Sequence, residues 1–385
     1  MSNPPLFLSE MGHAMARLNQ VWLGGGAIGV LCMTALVIGC RTRSPASAPL
    51  VANPTPTNKM DANLPVGIMA FFRDPSCKNN ERMVSTCGGS RIGSTTILTA
   101  AQCIASTQTA DKILVWKNVA DMRRVYPHMD KSCANLDAAG WRAVAAQKDA
   151  YLSAVSVRLF KQFMESYPAN YSLAQDLATL KIDDNIPQFT VKLNTEVPTQ
   201  PSNEGESAKR PLFIVGPGTN DCVSPENPRA HRLQNARKMG LGRAVLREVS
   251  AAEFDAIAAG LGQSDLNHND WEQTVKMLPV DSSVGCPGDT GSGLFEERDG
   301  EYFVFGPYAW AASLYTDQDK VVHVVTDPPD NAPSSQLSFF ATVQSPFACA
   351  LLASDEDVTI SSPEYAGFCQ KLSGGPQPIE IKLGP

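Results

Sequence analysis

The sequence predicts an all-β protein, and three observations carry that reading. Short apolar runs rich in Val, Ile, Leu, Phe and Thr recur from about Leu64 onward. Clusters of Gly, Pro, Asn and Asp separate them, in a chain of 385 residues with 28 Gly and 28 Pro. The runs do not alternate with helical blocks as βαβ units would, so the pattern is that of a sandwich or barrel. A 43% hydrophobic and 18% charged composition can fill one large core or two modest ones. It excludes a disordered, collagen-like or coiled-coil chain. Thirty-two basic against 39 acidic residues leave a net charge of −7, which gives no electrostatic footprint for nucleic acid.

The first element is the apolar run Val21 to Gly39, followed at once by Cys40. One upstream base (Arg17), an apolar stretch and a small residue before a cysteine are the parts of a secretory signal. Val37-Ile38-Gly39-Cys40 resembles a bacterial lipobox, in which Cys40 becomes the lipidated mature N-terminus. The alternative is a plain membrane anchor, since such a run nearly spans a bilayer of roughly 30 Å. Its Gly24-x-Gly26-x-x-Gly29 letters lack the strand and crossover helix of a nucleotide site. Residues 1–39 read as the signal and 40–62, rich in Pro, Ala, Thr and Asn, as an extended tether. The expected protein is therefore exported and membrane-tethered, with a freely secreted form as the alternative. Arg41 after the cysteine, rather than Asp, favours the outer membrane.

Next come the strand-like runs Val66–Phe72, Thr96–Ala101, Lys112–Val115, Leu177–Ile182, Pro211–Val215, Leu294–Phe295, Tyr302–Phe305 and Val321–Thr326. The polar stretch Asn194–Arg210 divides them into halves of about 64–193 and 211–350, with an extension over 351–385. Ala138–Ser166 has helical spacing and forms an excursion from the first half. Ser250 and Glu253 form a capping box ahead of a second helix that Gly260 or Gly262 stops.

Three segments carry a resemblance. Cys87-Gly-Gly-Ser-Arg-Ile-Gly-Ser-Thr-Thr-Ile-Leu-Thr-Ala-Ala-Gln-Cys103 resembles the stretch of trypsin/chymotrypsin-like serine proteases that carries the catalytic histidine. Asp176-Leu-Ala-Thr-Leu-Lys-Ile182 resembles the stretch with their catalytic aspartate, and Cys286-Pro-Gly-Asp-Thr-Gly-Ser-Gly-Leu-Phe295 the one with their nucleophilic serine. They stand in the family's order. The resemblance covers roughly 64–350, with longer spacings than the family's, and makes 63–385 one trypsin-like domain. It implies two packed six-stranded antiparallel β-barrels with inserted helices.

The resemblance places Gln102 at the histidine position, Thr290 at the serine position and Asp176 at the aspartate. Proton transfer in this mechanism needs a base that titrates near neutral pH. A glutamine amide hydrogen-bonds both neighbours but cannot carry a proton. His13 lies in the signal region, and His128, His231, His268 and His323 read as surface or loop residues. Ser292 is a rival nucleophile by letters alone. The family's oxyanion hole falls on the backbone N–H groups of Gly288 and Thr290, which does not depend on side chains. Val284 falls at the base of the specificity pocket, where it would favour apolar or small groups, or fill a collapsed pocket. Asp289 falls where the family buries a carboxylate against a new N-terminus. No such terminus is evident, so another partner is expected.

The implied activity is therefore that of a pseudoprotease binding a peptide or protein partner. The alternative is an active endopeptidase that uses Thr290 with a base from elsewhere. The ten cysteines include no C-x-x-C pair and none near paired histidines, so neither metal nor other cofactor is expected. Loss of Cys32 and lipidation of Cys40 leave eight, enough for four disulfides in an oxidising compartment. The resemblance implies Cys87–Cys103 and places Cys222 near Cys286. Cys349–Cys369 closes the C-terminus locally, which leaves Cys77–Cys133. Sequence alone does not fix this connectivity.

Overall fold

The computed structural model describes residues 65–73, 82–105, 108–117, 119–123, 125, 138–167, 172–184, 190–196, 212–216, 240–246, 251–260, 274–279, 289–316, 322–324, 334–372 and 375–384. All belong to one compact unit, Pro45–Pro385. The described chain is mostly β. Seven strands form the first sheet: β1 (Pro65–Arg73), β2 (Arg82–Arg91), β3 (Thr96–Thr99), β4 (Lys112–Trp116), β5 (Tyr151–Phe160), β6 (Ala178–Ile182) and β15 (Pro378–Lys382). Eight form the second: β7 (Lys192–Leu193), β8 (Leu212–Gly216), β9 (Gly240–Leu246), β10 (Thr274–Pro279), β11 (Gly293–Arg298), β12 (Glu301–Thr316), β13 (Val322–Val324) and β14 (Ser334–Ala341).

The first sheet closes. Its order is β15-β5-β4-β1-β2-β3-β6, and β6 returns to β5, so β1 to β6 make a six-stranded antiparallel barrel. Closure removes the open edges at which a sheet would recruit other strands. The second sheet runs β11-β8-β9-β10-β14-β12-β13, with β7 beside β12 and a further ladder between β11 and β12.

Strand β1 reads as a nearly unbroken apolar run because both of its faces are buried. Val66, Ile68, Ala70 and Phe72 enter the main core with Ile113 and Val115 of β4. Met69 and Phe71 point the other way, into a second layer with Leu114, Trp116, Met122 and Val144. The helices Val119–Arg123 and Ala138–Ala146 cover that outer face, Trp141 stacking on Phe71 at 5.0 Å. Gly67 lies under this cover: a Cβ there would come within 2.6 Å of Met122 Sδ.

The strand expectations over 66–72, 96–101, 112–115, 177–182, 294–295 and 302–305 fall on strands, although β3 ends at Thr99 and a 3-10 turn, Ala101–Cys103, follows. Of those over 211–215 and 321–326, residues 212–215 and 322–324 are strand and the rest lie outside the described residues. The helical excursion Ala138–Ser166 does not hold throughout. Ala138–Ala146 and Lys161–Ser166 are helical, but Tyr151–Phe160 between them is β5. Its β-branched and aromatic residues pair with β4, β6 and β15, and those ladders override a weak helical period. The helix after the capping box runs Ala251–Gly260 and buries Phe254 and Ile257; Ser250 lies outside the described residues.

The stretch beyond β14 is not a loose extension. Helices Pro346–Leu352, Glu356–Ser361 and Pro363–Cys369 pack against the first barrel before β15 joins β5. The Cys349–Cys369 disulfide bridges the first and third helices. Asp357 ties the second to the turn between β2 and β3, accepting from the N–H groups of Ser94 (2.7 Å) and Thr95 (2.8 Å) and from three hydroxyls.

Candidate functional site

The Ala101–Cys103 turn and the Leu173–Gln175 turn carry Gln102 and Asp176, and the β3–β6 ladder (Thr99↔Ala178) fixes one against the other. Asp176 is fully buried. One of its oxygens accepts from the Gln102 backbone N–H at 2.9 Å, the other from the Gln102 side-chain Nε2 at 2.8 Å. The same Nε2 also donates to the Ala309 carbonyl in β12. An amide nitrogen has two hydrogens, and both are used here. Tyr167 stands in the field of the same carboxylate: burial first, then the Asp176 charge, push its hydroxyl up to about 12.

The turn Asp289–Ser292 lies against this corner. The Thr290 carbonyl accepts from the Gly88 N–H at 2.8 Å and lies 3.5 Å from Cys103 Sγ. Cys103 is bonded to Cys87, so the disulfide frames the corner that holds Gln102. Gly291 must be glycine. Its φ is +83°, and a Cβ would stand 2.4 Å from the Gly88 carbonyl oxygen and 2.2 Å from Thr99 Oγ1. Main-chain bonds from Gly291 N–H to Tyr308 O and from Tyr308 N–H to Ser292 O attach the turn to β12.

Asp289 is buried with its carboxylate against Gly216, beside Ser292 Oγ. Its charge acts on Tyr308. Burial and then Asp289 hold that hydroxyl well above its ordinary range, so it keeps its proton at any physiological pH. Ser292 is fully buried and its Oγ has no hydrogen-bond partner among the described residues, a poor position for a nucleophile.

The structure thus brings Gln102 onto Asp176 and sets the Thr290 main chain beside Cys103. Val284, Gly288 and Cys286 lie outside the described residues, as do Cys40, Cys77, Cys133 and Cys222. Cys87–Cys103 and Cys349–Cys369 are formed as expected. Sequence reasoning missed the Ala309 carbonyl, Tyr167 and Tyr308. Ala309 contributes only main chain, which no side-chain pattern reports; Tyr308 carries a signal only once β12 is known to pass the Asp289 turn. No group of three or more His, Cys, Asp or Glu among the described residues is arranged to hold a metal.

Chemically, Gln102 orients its neighbours and does not titrate. Gln102 neither accepts nor releases a proton at accessible pH, so a hydroxyl at 290 has no base in this side chain. No family model matches the chain, and no curated protein matches it in sequence.

Proposed function

We propose that this chain is a catalytically silent homologue of the trypsin-like serine proteases, exported, tethered to the cell envelope and working by binding a peptide or protein. One observation carries the reading: both Nε2 hydrogens of Gln102 are committed, to Asp176 and to the Ala309 carbonyl, where the mechanism needs a titrating base. The closed six-stranded barrel supports the fold side of the proposal. In this reading the second sheet closes as a second barrel, which the β11–β12 ladder supports, and 63–385 is one domain. Cys77–Cys133 and Cys222–Cys286 complete the disulfides, and lipid on Cys40 supplies the tether. Gly288 and Thr290 keep backbone donors in the cleft, and Val284 gives its pocket an apolar base for small or apolar side chains.

The test is direct. Residues 62–385 should not turn over casein or short chromogenic peptides, and a fluorophosphonate probe should leave Thr290 unlabelled. Stoichiometric labelling that disappears in Thr290→Ala would overturn the silent reading and favour an active threonine endopeptidase. The full chain should incorporate labelled palmitate and partition into detergent, and Cys40→Ala should lose both properties. Soluble recovery of the wild type without lipid rejects the tether.

A further inference from the structure

The barrel is closed, but among the described residues the first sheet still ends in an edge, and that edge is β15. Strand β5 runs on after its pairing with β4 stops, and β15 covers the stretch Ser156–Phe160 that would otherwise be exposed. On the far side of β15 no strand lies among the described residues.

The register shows which groups face outward. Leu383 donates its N–H to Val155 O at 2.9 Å, and the pairs Ile381↔Val157 and Ile379↔Leu159 follow at intervals of two. In an antiparallel ladder the residues between such pairs turn their N–H and C=O away. Glu380 and Lys382 therefore present main-chain donors and acceptors to the open edge. Their side chains are exposed, 42% and 79%. Ile381 and Leu383 pack on the core only in part.

The strand reads Ile379-Glu380-Ile381-Lys382-Leu383. About Ile381 it is symmetric in polarity and antisymmetric in charge. We propose that this edge is a docking surface for a second copy of the same chain, paired antiparallel about a two-fold axis with Ile381 opposite Ile381. In that register Glu380 lies opposite Lys382 of the other copy, twice. Both are the residues whose main-chain groups already point outward, so they form narrow hydrogen-bonded pairs. Ile379 lies opposite Leu383, and the half-exposed apolar face becomes continuous.

The usual guards of an edge, Pro378 at the strand start and the charged Lys382, do not block this partner. Glu380 and Lys382 already pair with each other along the strand at 2.6 Å. An unrelated strand adds no matching charges to that pair, whereas the strand's own copy sets an opposite charge across from each. Oppositely charged cross-strand neighbours attract and like ones repel, so the charge pattern selects the copy. Two such short edges bury little area, which makes the association weak and concentration-dependent.

The experiment uses the full chain in mild detergent. Sedimentation should show a reversible monomer–dimer equilibrium. On oxidation Ile381→Cys should cross-link to itself, since directly opposed residues of a non-hydrogen-bonded pair lie within disulfide reach. Ile379→Cys should cross-link poorly alone and well when mixed with Leu383→Cys. Lys382→Glu should abolish the dimer, and Glu380→Lys/Lys382→Glu should restore it. A monomer at every concentration, self-cross-linking equal at 379 and 381, or a dimer indifferent to Lys382→Glu would each overturn the proposal. Circular dichroism of Lys382→Glu separates lost pairing from lost fold, and the double exchange gives the same separation independently.

Discussion

Strand β3 is gripped by an aspartate at each end, and the two grips differ. Where it begins, Asp357 accepts five hydrogen bonds from Ser94, Thr95 and Thr96, with Lys181 3.6 Å away. Where it leaves, Asp176 takes the main-chain and side-chain N–H groups of Gln102. The first corner binds the barrel to a helix more than 260 residues further along the chain. The second is the corner that the protease resemblance assigns to catalysis. Yet the donors at both ends are backbone, hydroxyl and amide groups, none of which changes charge with pH. A catalytic corner needs one partner that does. The Gln102 corner has the chemistry of a structural tie.

The comparison breaks first where most bonds are removed. Asp357→Ala leaves the turn donors without their acceptor and Lys181 with Asp355 alone, and should cost about 4 kcal/mol. Denaturant unfolding checks it; a loss smaller than that of Asp176→Ala would reverse the ranking of the two corners. The pH dependence follows from sign. Burial pushes the Asp357 carboxyl up, but the donors of Ser94, Thr95 and Thr96 outweigh it and hold it well below the usual range. A depressed carboxylate contributes stability that is present above its unfolded pKa and lost as pH falls toward the folded one. The gap between wild type and Asp357→Asn should therefore narrow below about pH 4.

A covalent bond reinforces the second corner. The chain-entropy view gives the Cys87–Cys103 bridge about 3 kcal/mol, for a loop spanning a sequence separation of 16. Cys87→Ala/Cys103→Ala should melt several degrees lower with unchanged β-rich circular dichroism. A larger loss than that of Asp357→Ala would make the bridge, rather than the hydrogen bonds, the chief restraint on β3.

The sequence made these features legible to different degrees. Closely spaced ladders were readable: Val66–Phe72 and Lys112–Val115 lie in strands whose apolar letters are local and dense. The meeting of Gln102 with Asp176 beside the Thr290 turn was readable because the three motifs and their order carry the resemblance. Strand β5 was not, because Tyr151–Phe160 pairs with three different strands and its pattern of buried and exposed residues serves all of them. The Asp357 tie was invisible for another reason. A lone aspartate in a helix and a Ser-Thr-Thr turn are each ordinary, and only tertiary contact makes them a pair. The role of Ala309 lies in its carbonyl, which every residue has.

The smallest expected effect is the sharpest test of what the Gln102 corner lacks. Gln102→His places a titrating group against Asp176. In its charged form an imidazole donates from both nitrogens, enough for Asp176 and the Ala309 carbonyl together; the neutral form has one donor. The folded pKa of that histidine should lie above its unfolded value of about 6.5. The stability gained is then fully present below the unfolded pKa and is lost as pH rises through the folded one. Relative to wild type, the variant should gain about 1 kcal/mol between about pH 8 and about pH 5, a shift of a little under one pKa unit. Taking the difference from wild type cancels groups that titrate alike in both proteins, and histidine resonances followed by NMR give the folded pKa directly. A difference that does not vary with pH would mean that position 102 does not face Asp176 in solution. The reading of the site as a protease corner with its base exchanged for an amide would then fail.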